Sequence, residues 1–344
     1  MKNHKKLILI GSSGSVHLKN YYDLIKDFFD DILIVTNSEI DFCNFKVIDF
    51  GLRNPISIFK NIKALHGIYR DYQPSIIHVH QANSYGFISI KANKDKFPLV
   101  LTTWGSDVLL LPNKNFLFKK MVSYNLRNSD YITADANFMG EAIHEIIADK
   151  KVEIINFGID YDNVELIEKE NIIYSNRLHN DLYNIDDIII GFSKFVKLHT
   201  GWKLIVGANG KNTDSLKVLA ESILPIGSYE FIGFVNQAEN KRQYMRAKVW
   251  VSIPSSDGTA ISLLEAMGYG CIPVLSDLPA NNEWIINNEN GIIVKNNLVS
   301  SLCDVEELSL DYVQEKNKKL ILSKATKQVN KNKFESIYKK ILND

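Results

Sequence analysis

Short runs of β-branched and other apolar residues alternate with longer stretches of helical spacing along almost the whole chain. This alternation is typical of parallel sheets whose strands are joined by crossover helices. Seven β-type runs form a first series: KKLILI, DILIVT, FKVIDF, SIIHVH, PLVLTTW, YITAD and VEIINFG. Six more form a second series: NIIYSNRL, WKLIVGAN, YEFIGFV, VWVSIPS, CIPVLSD and NGIIVK. The sequence therefore predicts an α/β protein with two doubly wound, Rossmann-like units.

The chain length agrees with two units. With 344 residues the chain is too long for one ordinary core and fits two domains of about 150 residues each. The polar segment YDNVELIEKEN separates the two series. We predict a first domain over 1–165, a second over 166–325, and a C-terminal helix over 326–344 that returns toward the first domain. Ligands of open α/β sheets bind beyond the carboxyl ends of the strands, so we expect the domains to face a central cleft.

Composition argues against several classes of protein. With 45% hydrophobic and 23% charged residues, the chain is expected to be soluble and globular, and no segment approaches the roughly 18 apolar residues of a membrane span. The apolar run near the N-terminus is too short for a signal peptide and fits a first strand better. Cys43, Cys271 and Cys303 lack metal-ligand spacing. We therefore expect a reduced, cytoplasmic setting and no metal site.

Charge is distributed unevenly, although Lys plus Arg and Asp plus Glu both number 40. Residues 1–130 contain 17 basic and 11 acidic residues, and the remainder contains 23 and 29. A basic first half suits an anionic acceptor or a membrane surface. Ordinary solvated lysines explain it equally well, so these alternatives stay open. No nucleic-acid partner is predicted.

The stretch PSSDGTAISLLEAMGYGCIPVLSD, residues 254–277, carries the strongest chemical signal. Its spacing predicts a turn at SDGT and a helix that Thr259 or Ser262 can cap. The amino end of such a helix favours a phosphate group. Asp257 lies before the helix and Glu265 lies inside it, so the two acids flank this position. Carboxylates there would accept hydrogen bonds from hydroxyls, and a phosphate group with hydroxyls on both sides is a nucleotide sugar.

This stretch resembles the signature of the retaining family 4 glycosyltransferases of GT-B fold, in which two acids eight positions apart flank a small loop with glycine. Other segments resemble the family's landmarks in matching order: Gly11-Ser12-Ser13-Gly14 followed by His17, HVH at 78–80, WGSD at 104–107, NFGID at 156–160, NRL at 176–178 and VGANG at 206–210. The chain is most similar to the subset with a DGT…LLEAM loop and a WGSD motif.

The resemblance implies specific roles. The acid matching Asp257 binds donor-sugar hydroxyls, the acid matching Glu265 binds the nucleotide ribose, and Arg177 matches a diphosphate-binding arginine whose planar fork suits phosphate oxygens. Backbone amides at 259–261 would meet the sugar and diphosphate. The implied donor-binding residues are Gly11, Ser12, Gly14, Arg177, Lys211, Asp257, Gly258, Thr259, Ala260, Ile261 and Glu265.

The chain departs from the family pattern at three places. The first acid, Asp257, is one methylene shorter than the usual Glu. Tyr183 stands where a basic residue is common, and we expect Lys211 to replace that residue. Trp104 occupies the place of a histidine, which leaves Asp107 as the polar group nearest the chemistry. The implied catalytic residues are Asp107, Asp257 and Arg177, and the implied acceptor-side residues are His17, His80 and Trp104.

The resemblance implies a glycosyltransferase that moves a sugar from a UDP- or GDP-linked donor to a surface-glycan or lipid-linked oligosaccharide acceptor, with retention and with neither metal nor cofactor. Asp160-Tyr161-Asp162 resembles a metal-binding DxD but completes the NFGID match, so we discount it. The expected location is the cytoplasm, with peripheral contact at the inner face of the cytoplasmic membrane left open. Two alternatives remain: an inactive GT-B protein that binds a nucleotide sugar, and a sugar-nucleotide epimerase of the same fold.

Each candidate also has an ordinary interpretation. Glu265 alone fits a solvated helix acid, and Asp257-Gly258 alone fits a turn. The GSSGS loop is a weak phosphate signal because it lacks the full dinucleotide-binding pattern. His78 and His80 share one face of a strand, so one of them can be structural. Four apolar residues fit the core as well as a lipid-facing surface: Phe116, Phe118, Met121 and Tyr124.

Overall fold

The computed structural model describes residues 4–161 and 167–343, with only the backbone described at Val16. The chain divides into unit 1, which comprises Met1–Phe157 and Lys327–Asp344, and unit 2, which comprises Gly158–Thr326. The boundary that we predicted at 165/166 and Asp162 of the DxD-like sequence lie at or among residues 162–166, outside the described residues.

Unit 1 contains a sheet of seven strands in the order β3-β2-β1-β4-β5-β6-β7. All neighbouring strands are parallel. The strands are β1 (Lys6–Ile10), β2 (Asp31–Thr36), β3 (Phe45–Val47), β4 (Ile76–His80), β5 (Leu99–Thr102), β6 (Tyr131–Ala134) and β7 (Val152–Ile154). Strands β4 and β5 are buried along their whole length and β1 is buried after Lys6, as expected of a parallel sheet that helices cover on both faces.

The helices of unit 1 are α1 (Val16–Ile25), α2 (Pro55–Tyr72), α3 (Ser84–Ala92), α4 (Leu111–Lys114), α5 (Phe116–Arg127), α6 (Asn137–Ile146) and the C-terminal helix. Several begin at a side-chain cap, which satisfies a backbone N–H group at the helix start. Asn54 accepts a hydrogen bond from the Ile56 amide at the start of α2, where Pro55 supplies a preset helical φ. A π-helical turn, Ser106–Leu110, precedes α4.

Unit 2 contains a sheet of six parallel strands in the order β10-β9-β8-β11-β12-β13. The strands are β8 (Glu170–Ser175), β9 (Lys203–Gly207), β10 (Tyr229–Gly233), β11 (Ala247–Ser252), β12 (Ile272–Ser276) and β13 (Ile292–Val294). The helices are α7 (Ile185–Leu198), α8 (Thr213–Ile223), α9 (Gln237–Arg246), α10 (Ile261–Gly268), α11 (Pro279–Asn282), α12 (Leu298–Asp304) and α13 (Leu310–Lys324). Both sheets are doubly wound and parallel, so the predicted fold class is confirmed.

The last helix, α14 (Lys327–Asn343), belongs to unit 1. Its Phe334, Ile337 and Tyr338 are buried in the same apolar cluster as Leu7 and Leu9 of β1. The chain therefore returns to the core of its first unit after completing the second. In the part of the chain that the structure describes, no helix combines the length and the apolar character needed to cross a membrane.

The strand orders fix where ligands can bind. In each sheet the order reverses between two neighbouring strands, β1 and β4 in unit 1 and β8 and β11 in unit 2. Crevices beyond the carboxyl ends of such strands are the usual ligand sites of this architecture. Gly11 and His80 lie at those ends in unit 1, and Arg177 and Asp257 lie just beyond them in unit 2.

Candidate functional site

The loop after β8 is anchored by an asparagine. The Asn176 side-chain amide donates to Asn240 Oδ1 at 3.0 Å and to the Tyr244 hydroxyl at 2.7 Å. Its carbonyl oxygen accepts from Trp250 Nε1 at 2.9 Å. These bonds join the ends of β8 and β11 to α9, and they fix the backbone from which Arg177 extends.

Arg177 is held by three neighbours. Its guanidinium donates from Nη1 to Ser262 Oγ at 2.7 Å and from Nη2 to Asp257 Oδ2 at 2.5 Å. Its Cζ lies 4.3 Å from the centre of the Tyr183 ring. The Arg177 side chain is 11% exposed and that of Asp257 23%. The buried Nε has no hydrogen-bond partner within the described ranges.

The loop that carries Asp257 is tied to the Arg177 loop. The Ser255 amide donates to the Leu182 carbonyl at 2.9 Å, and the Asn184 side chain donates to the Ile253 carbonyl at 2.8 Å. Asp257 Oδ1 accepts from the Gly258 amide at 3.0 Å. The two loops therefore present the arginine and the acid as one preassembled pair.

The amino end of α10 differs from our expectation. Its N-cap is Ala260, and no side chain caps the helix. Thr259 Oγ1 accepts a hydrogen bond from Trp284 Nε1 at 3.3 Å, and Ser262 Oγ accepts from Arg177. The prediction that one of these hydroxyls caps the helix is therefore wrong, because tertiary partners take both. An amino end without a side-chain cap suits an anion.

Glu265 is the fifth residue of α10, and Asn240 Nδ2 lies 3.4 Å from its Oε2. Burial and, after it, the negative charge of Glu265 raise the pKa of Tyr174 and of Tyr244. Both phenols therefore remain protonated beside the carboxylate. One of them, the Tyr174 hydroxyl, donates to Asn240 Oδ1 at 2.7 Å. Glu265 thus stands in an ordered polar network and is only partly exposed.

A cavity of about 290 Å³ opens beside Glu265. Its lining includes Gln237 and Lys241 from α9 and Tyr269 from the end of α10, and Lys241 Nζ lies 5.3 Å from the centre of the Tyr269 ring. Sequence inspection missed these three residues. The only signal was that the NQAENK segment follows β10, at the carboxyl edge of the sheet where ligands bind.

Lys211 is engaged elsewhere. Its Nζ donates to Asp181 Oδ2 at 2.5 Å, and the two side chains are 63% and 75% exposed. In the same loop, a Cβ on Gly210 would lie 2.3 Å from the His179 carbonyl oxygen, so the close approach of two backbones requires this glycine. Among the expected donor-binding residues of unit 2, Arg177, Asp257 and the 258–261 segment are brought together around the start of α10, whereas Lys211 pairs at the surface.

In unit 1, the glycine loop follows β1. A Cβ on Gly11 would lie 2.9 Å from Leu18 Cδ1 and 3.5 Å from His80 Cβ, so Gly11 lets the loop pass close to β4. Gly14 is exposed and has no such restriction. Ser15 accepts from the His17 amide at 3.2 Å and starts α1 there.

Aromatic rings gather at the carboxyl ends of β1, β4 and β5. The Trp104 ring centre lies 5.2 Å from those of His17 and His80, and His17 stacks on Phe157 at 5.7 Å. His80 is fully buried, and burial followed by the charges of His78 and His17 lowers its pKa far below the usual value. Neither His80 ring nitrogen nor Trp104 Nε1 has a hydrogen-bond partner in the described part of the chain. The structure brings these three predicted residues together.

His78 is the structural histidine of the pair. Its Nδ1 pairs with the Tyr338 hydroxyl at 2.6 Å, and its Nε2 pairs with Thr102 Oγ1 at 2.6 Å. The Tyr338 hydroxyl also lies 2.5 Å from that of Tyr21. Burial lowers the pKa of His78 from 6.5 to about 3, so the ring is neutral. The chain of hydrogen bonds ties α14 to the centre of the sheet.

Asp107 lies in the π-helical turn and is 2% exposed. Its carboxylate accepts from the Ala82 amide at 2.6 Å and from the Trp104 amide at 2.9 Å. Burial raises its pKa, while hydrogen bonds from these amides act in the opposite direction. Gly105, at φ 101°, lets the chain turn between Trp104 and Asp107. Asp107 thus joins the loops that follow β4 and β5.

Within residues 4–161 and 167–343, no group of three or more His, Cys, Asp or Glu side chains could hold a metal ion.

Two family models match the chain. The model described as "Glycosyl transferase 4-like" matches residues 6–136, within unit 1, and the model described as "Glycosyl transferases group 1" matches residues 160–328, almost all of unit 2. An alpha-monoglucosyldiacylglycerol synthase from Streptococcus pneumoniae is 24% identical over 77% of this chain and 64% of its own length. The chain thus spans less than two thirds of that relative.

Solved structures share the fold. A glycosyltransferase from Rickettsia africae superposes with a TM-score of 0.83 at 17% identity and covers 99% of this chain and 100% of its own. The Anabaena protein HepE in complex with UDP-glucose gives a TM-score of 0.79 at 11% identity and covers 98% of this chain and 100% of its own. Because the two family models together match most of both units, the chain belongs to the family 4-like glycosyltransferases of GT-B fold.

Proposed function

We propose that this glycosyltransferase moves a sugar from a UDP- or GDP-linked donor to a surface-glycan or lipid-linked oligosaccharide acceptor, with retention and without a metal ion. We also propose that it belongs to the subset of the family with a DGT…LLEAM loop and a WGSD motif. One observation carries the proposal: the Arg177 guanidinium donates to Ser262, the second residue of α10, beside the uncapped amino end of that helix. A cation and a set of helix amides thus converge on one place, with Asp257 on one side and Glu265 on the other.

The chemistry follows from the charges that form. Breaking the bond between the anomeric carbon and the diphosphate oxygen leaves positive charge on the sugar and negative charge on the leaving diphosphate. Arg177 and the amides of residues 259–261 stabilise the diphosphate, and each such preorganised donor contributes about 3 to 4 kcal/mol in comparable sites. The acceptor hydroxyl oxygen then bonds to the anomeric carbon on the face that the phosphate oxygen leaves, and its proton passes to the departing diphosphate.

Asp257 and Glu265 act on hydroxyls in this proposal. Asp257 accepts hydrogen bonds from the donor sugar and Glu265 from the ribose. The cavity beside Glu265 has room for the nucleoside, and its Tyr269 and Lys241 offer a ring and a cation to the base. Donor binding belongs to the 166–325 domain in this scheme, with Gly258 and Thr259 shaping the sugar loop and Lys211 at its margin.

The 1–165 domain, with the helix over 326–344, presents the acceptor. The half-buried Trp104 indole offers its ring to a sugar, and the neutral, fully buried His80 supports that ring, with 5.2 Å between the two ring centres. His17 completes that wall, and the backbone at Gly11, Ser12 and Gly14 allows close approach. The buried Asp107 supports Trp104 through its amide. This environment favours a positioning role for Asp107 over direct contact with the reacting atoms.

The proposed donor and acceptor classes draw on the similar proteins. HepE was crystallised with UDP-glucose, and the pneumococcal relative is named for a glucosyl-diacylglycerol product. The first name supports a sugar-nucleotide donor, and the second supports an acceptor attached to lipid. A cytoplasmic protein peripheral to the cytoplasmic membrane fits that acceptor.

Glu265→Ala tests the proposal. We expect the variant to lose most of its affinity for UDP or GDP in calorimetry and to lose transfer, because the ribose hydroxyls lose their acceptor. Glu221→Ala, which removes an exposed helix acid of the same unit, is the matched control. Unchanged kinetics of Glu265→Ala would contradict the proposal. Donor binding without turnover across a panel of acceptors would indicate an inactive binding protein, and epimerised donor would indicate an epimerase.

A further inference from the structure

Unit 1 exposes an apolar surface that its own core does not use. Ile56 and Phe59 of α2 are 79% and 70% exposed, and Phe116 and Leu117 of α5 are 67% and 75% exposed. Single exposed apolar residues are ordinary, whereas a cluster beside polar residues marks an interaction surface. We define these four residues and the cations around them as the α2–α5 face.

One of the four residues, Leu117, lines a groove. This groove of about 680 Å³ runs between the start of α2 and α5, and Leu52, Phe87, Leu117 and Met121 help to line it. On α2 the groove is lined by Ile58, whose side chain points to a different side of the helix from that of Ile56. Both helices that carry the α2–α5 face thus contribute residues to this groove.

Cations surround this apolar surface. On α2, Ile56, Phe59, Lys60 and Lys63 follow the spacing of one helix face. On α5, the Lys120 ammonium lies 4.4 Å from the centre of the Phe116 ring. Eight exposed cations lie in residues 51–70 and 108–128: Arg53, Lys60, Lys63, Arg70, Lys114, Lys119, Lys120 and Arg127. Residues 51–70 and 108–128 contain no Asp or Glu.

We propose that the α2–α5 face docks on the surface of an anionic lipid bilayer. Exposed aliphatic and aromatic tips enter the boundary of the acyl chains, while lysines extend to the lipid phosphates. A second copy of this chain fits poorly, because an isologous contact would bring two cationic faces together without an acid between them. The inference rests on the proposed function in one respect, since a lipid-linked acceptor gives the docking its purpose.

Vesicle flotation of the full chain tests the proposal. We expect binding to vesicles in which about a third of the phosphatidylcholine is replaced by phosphatidylglycerol, little binding to phosphatidylcholine alone, and release as added salt screens the charges. Replacing Lys60, Lys63, Lys119 and Lys120 with Gln should lower the partition coefficient by roughly a hundredfold or more, at about fivefold per lysine. The control replaces Lys194, Lys197, Lys217 and Lys295, four exposed lysines of unit 2, with Gln.

An apolar pair separates insertion from charge attraction. Ile56→Gln with Leu117→Gln should lower binding about tenfold, because two buried aliphatic side chains are lost from the bilayer. Leu198→Gln with Ile226→Gln is the matched control, since those residues of unit 2 are 71% and 103% exposed. Thermal melting of each variant verifies that it folds.

Three outcomes would overturn the proposal: no binding to anionic vesicles, binding that the variants of the face do not reduce, or a dimer in sedimentation that the Ile56/Leu117 variant dissociates. Calorimetry with UDP and GDP keeps this inference separate from the proposed function. Vesicle binding without nucleotide binding would refute the function and leave the docking surface standing. Nucleotide binding with no vesicle binding would refute the docking surface and leave the proposed function standing.

Discussion

The two units hold their candidate residues by different physical means. In unit 2 an arginine and an acid, 11% and 23% exposed, are paired with each other. In unit 1 neutral rings surround His80, which is fully buried, and the carboxylate of Asp107 is 2% exposed. A charged pair near solvent can exchange one partner for an incoming anion, whereas buried neutral rings offer only shape and hydrogen bonds. The contrast fits a phosphate ligand in unit 2 and an uncharged, hydroxylated ligand in unit 1.

The largest effect is expected where the charged pair is broken. Asp257→Asn should lower turnover by about a hundredfold or more, because a charged acceptor for the sugar is lost. The same variant should bind free nucleoside diphosphate at least as tightly as the unmodified enzyme, since carboxylate and phosphate compete for the Arg177 Nη2 donor. Steady-state kinetics and calorimetry measure the two quantities. A parallel loss of both would mean that Asp257 assists the diphosphate by positioning Arg177.

Acid should act on unit 1 through its buried histidines. Burial lowers the pKa of His78 from 6.5 to about 3 and lowers that of His80. Below about pH 6.5 the unfolded chain binds protons that the folded chain does not, so the free energy of unfolding falls by up to ~1.4 kcal/mol per pH unit for each histidine. The stability that depends on neutral histidines is fully present above about pH 6.5, and the part that depends on His78 is lost as the pH falls toward 3.

Hydrogen exchange at several pH values measures this loss in β1 and β4. His78→Gln removes one titrating ring and should flatten the pH dependence of protection there, whatever its effect at neutral pH. An unchanged slope would show that His78 does not contribute to acid sensitivity.

A smaller effect is expected at the ring beneath Arg177. Tyr183→Leu should weaken nucleoside diphosphate binding by roughly threefold to tenfold, because cation–π contacts contribute about 0.5 to 2 kcal/mol. Tyr183→Phe keeps the ring and is the control. Equal affinity in the Leu and Phe variants would show that the ring at position 183 does not contribute to nucleoside diphosphate binding.

The smallest effect is expected at Lys211. Its pair with Asp181 is exposed on both sides, and exposed pairs contribute little. Lys211→Gln should change the KM for the donor by less than about twofold. A tenfold rise in KM would instead support Lys211 as the replacement for the missing basic residue. Donor binding in unit 2 would then not depend on the Arg177–Asp257 pair alone.

Sequence periodicity was sufficient to predict the thirteen strands and the two sheets, because parallel strands buried on both faces leave continuous apolar runs. Spacing also predicted that Asp257 lies before a helix and Glu265 inside it, as the structure confirms. The roles of Thr259 and Ser262 could not be predicted, because Trp284 and Arg177 take their hydroxyls through tertiary contacts. The contact between Tyr183 and Arg177 could not be predicted either, because it depends on an irregular loop. Asn184 fixes that loop by donating a hydrogen bond to the carbonyl of Ile253, 69 residues away in the sequence.

The position of α14 has a consequence for how the chain acquires its structure during synthesis. Unit 2 ends at Thr326, so all its residues are synthesised before Phe334 and Tyr338. Until then the nascent first unit exposes the apolar residues that those two side chains cover, and His78 Nδ1 lacks the Tyr338 hydroxyl. Unit 1 is therefore synthesised first but completes its fold last. A nascent chain that stalls near residue 326 is expected to bind a chaperone that covers apolar surface.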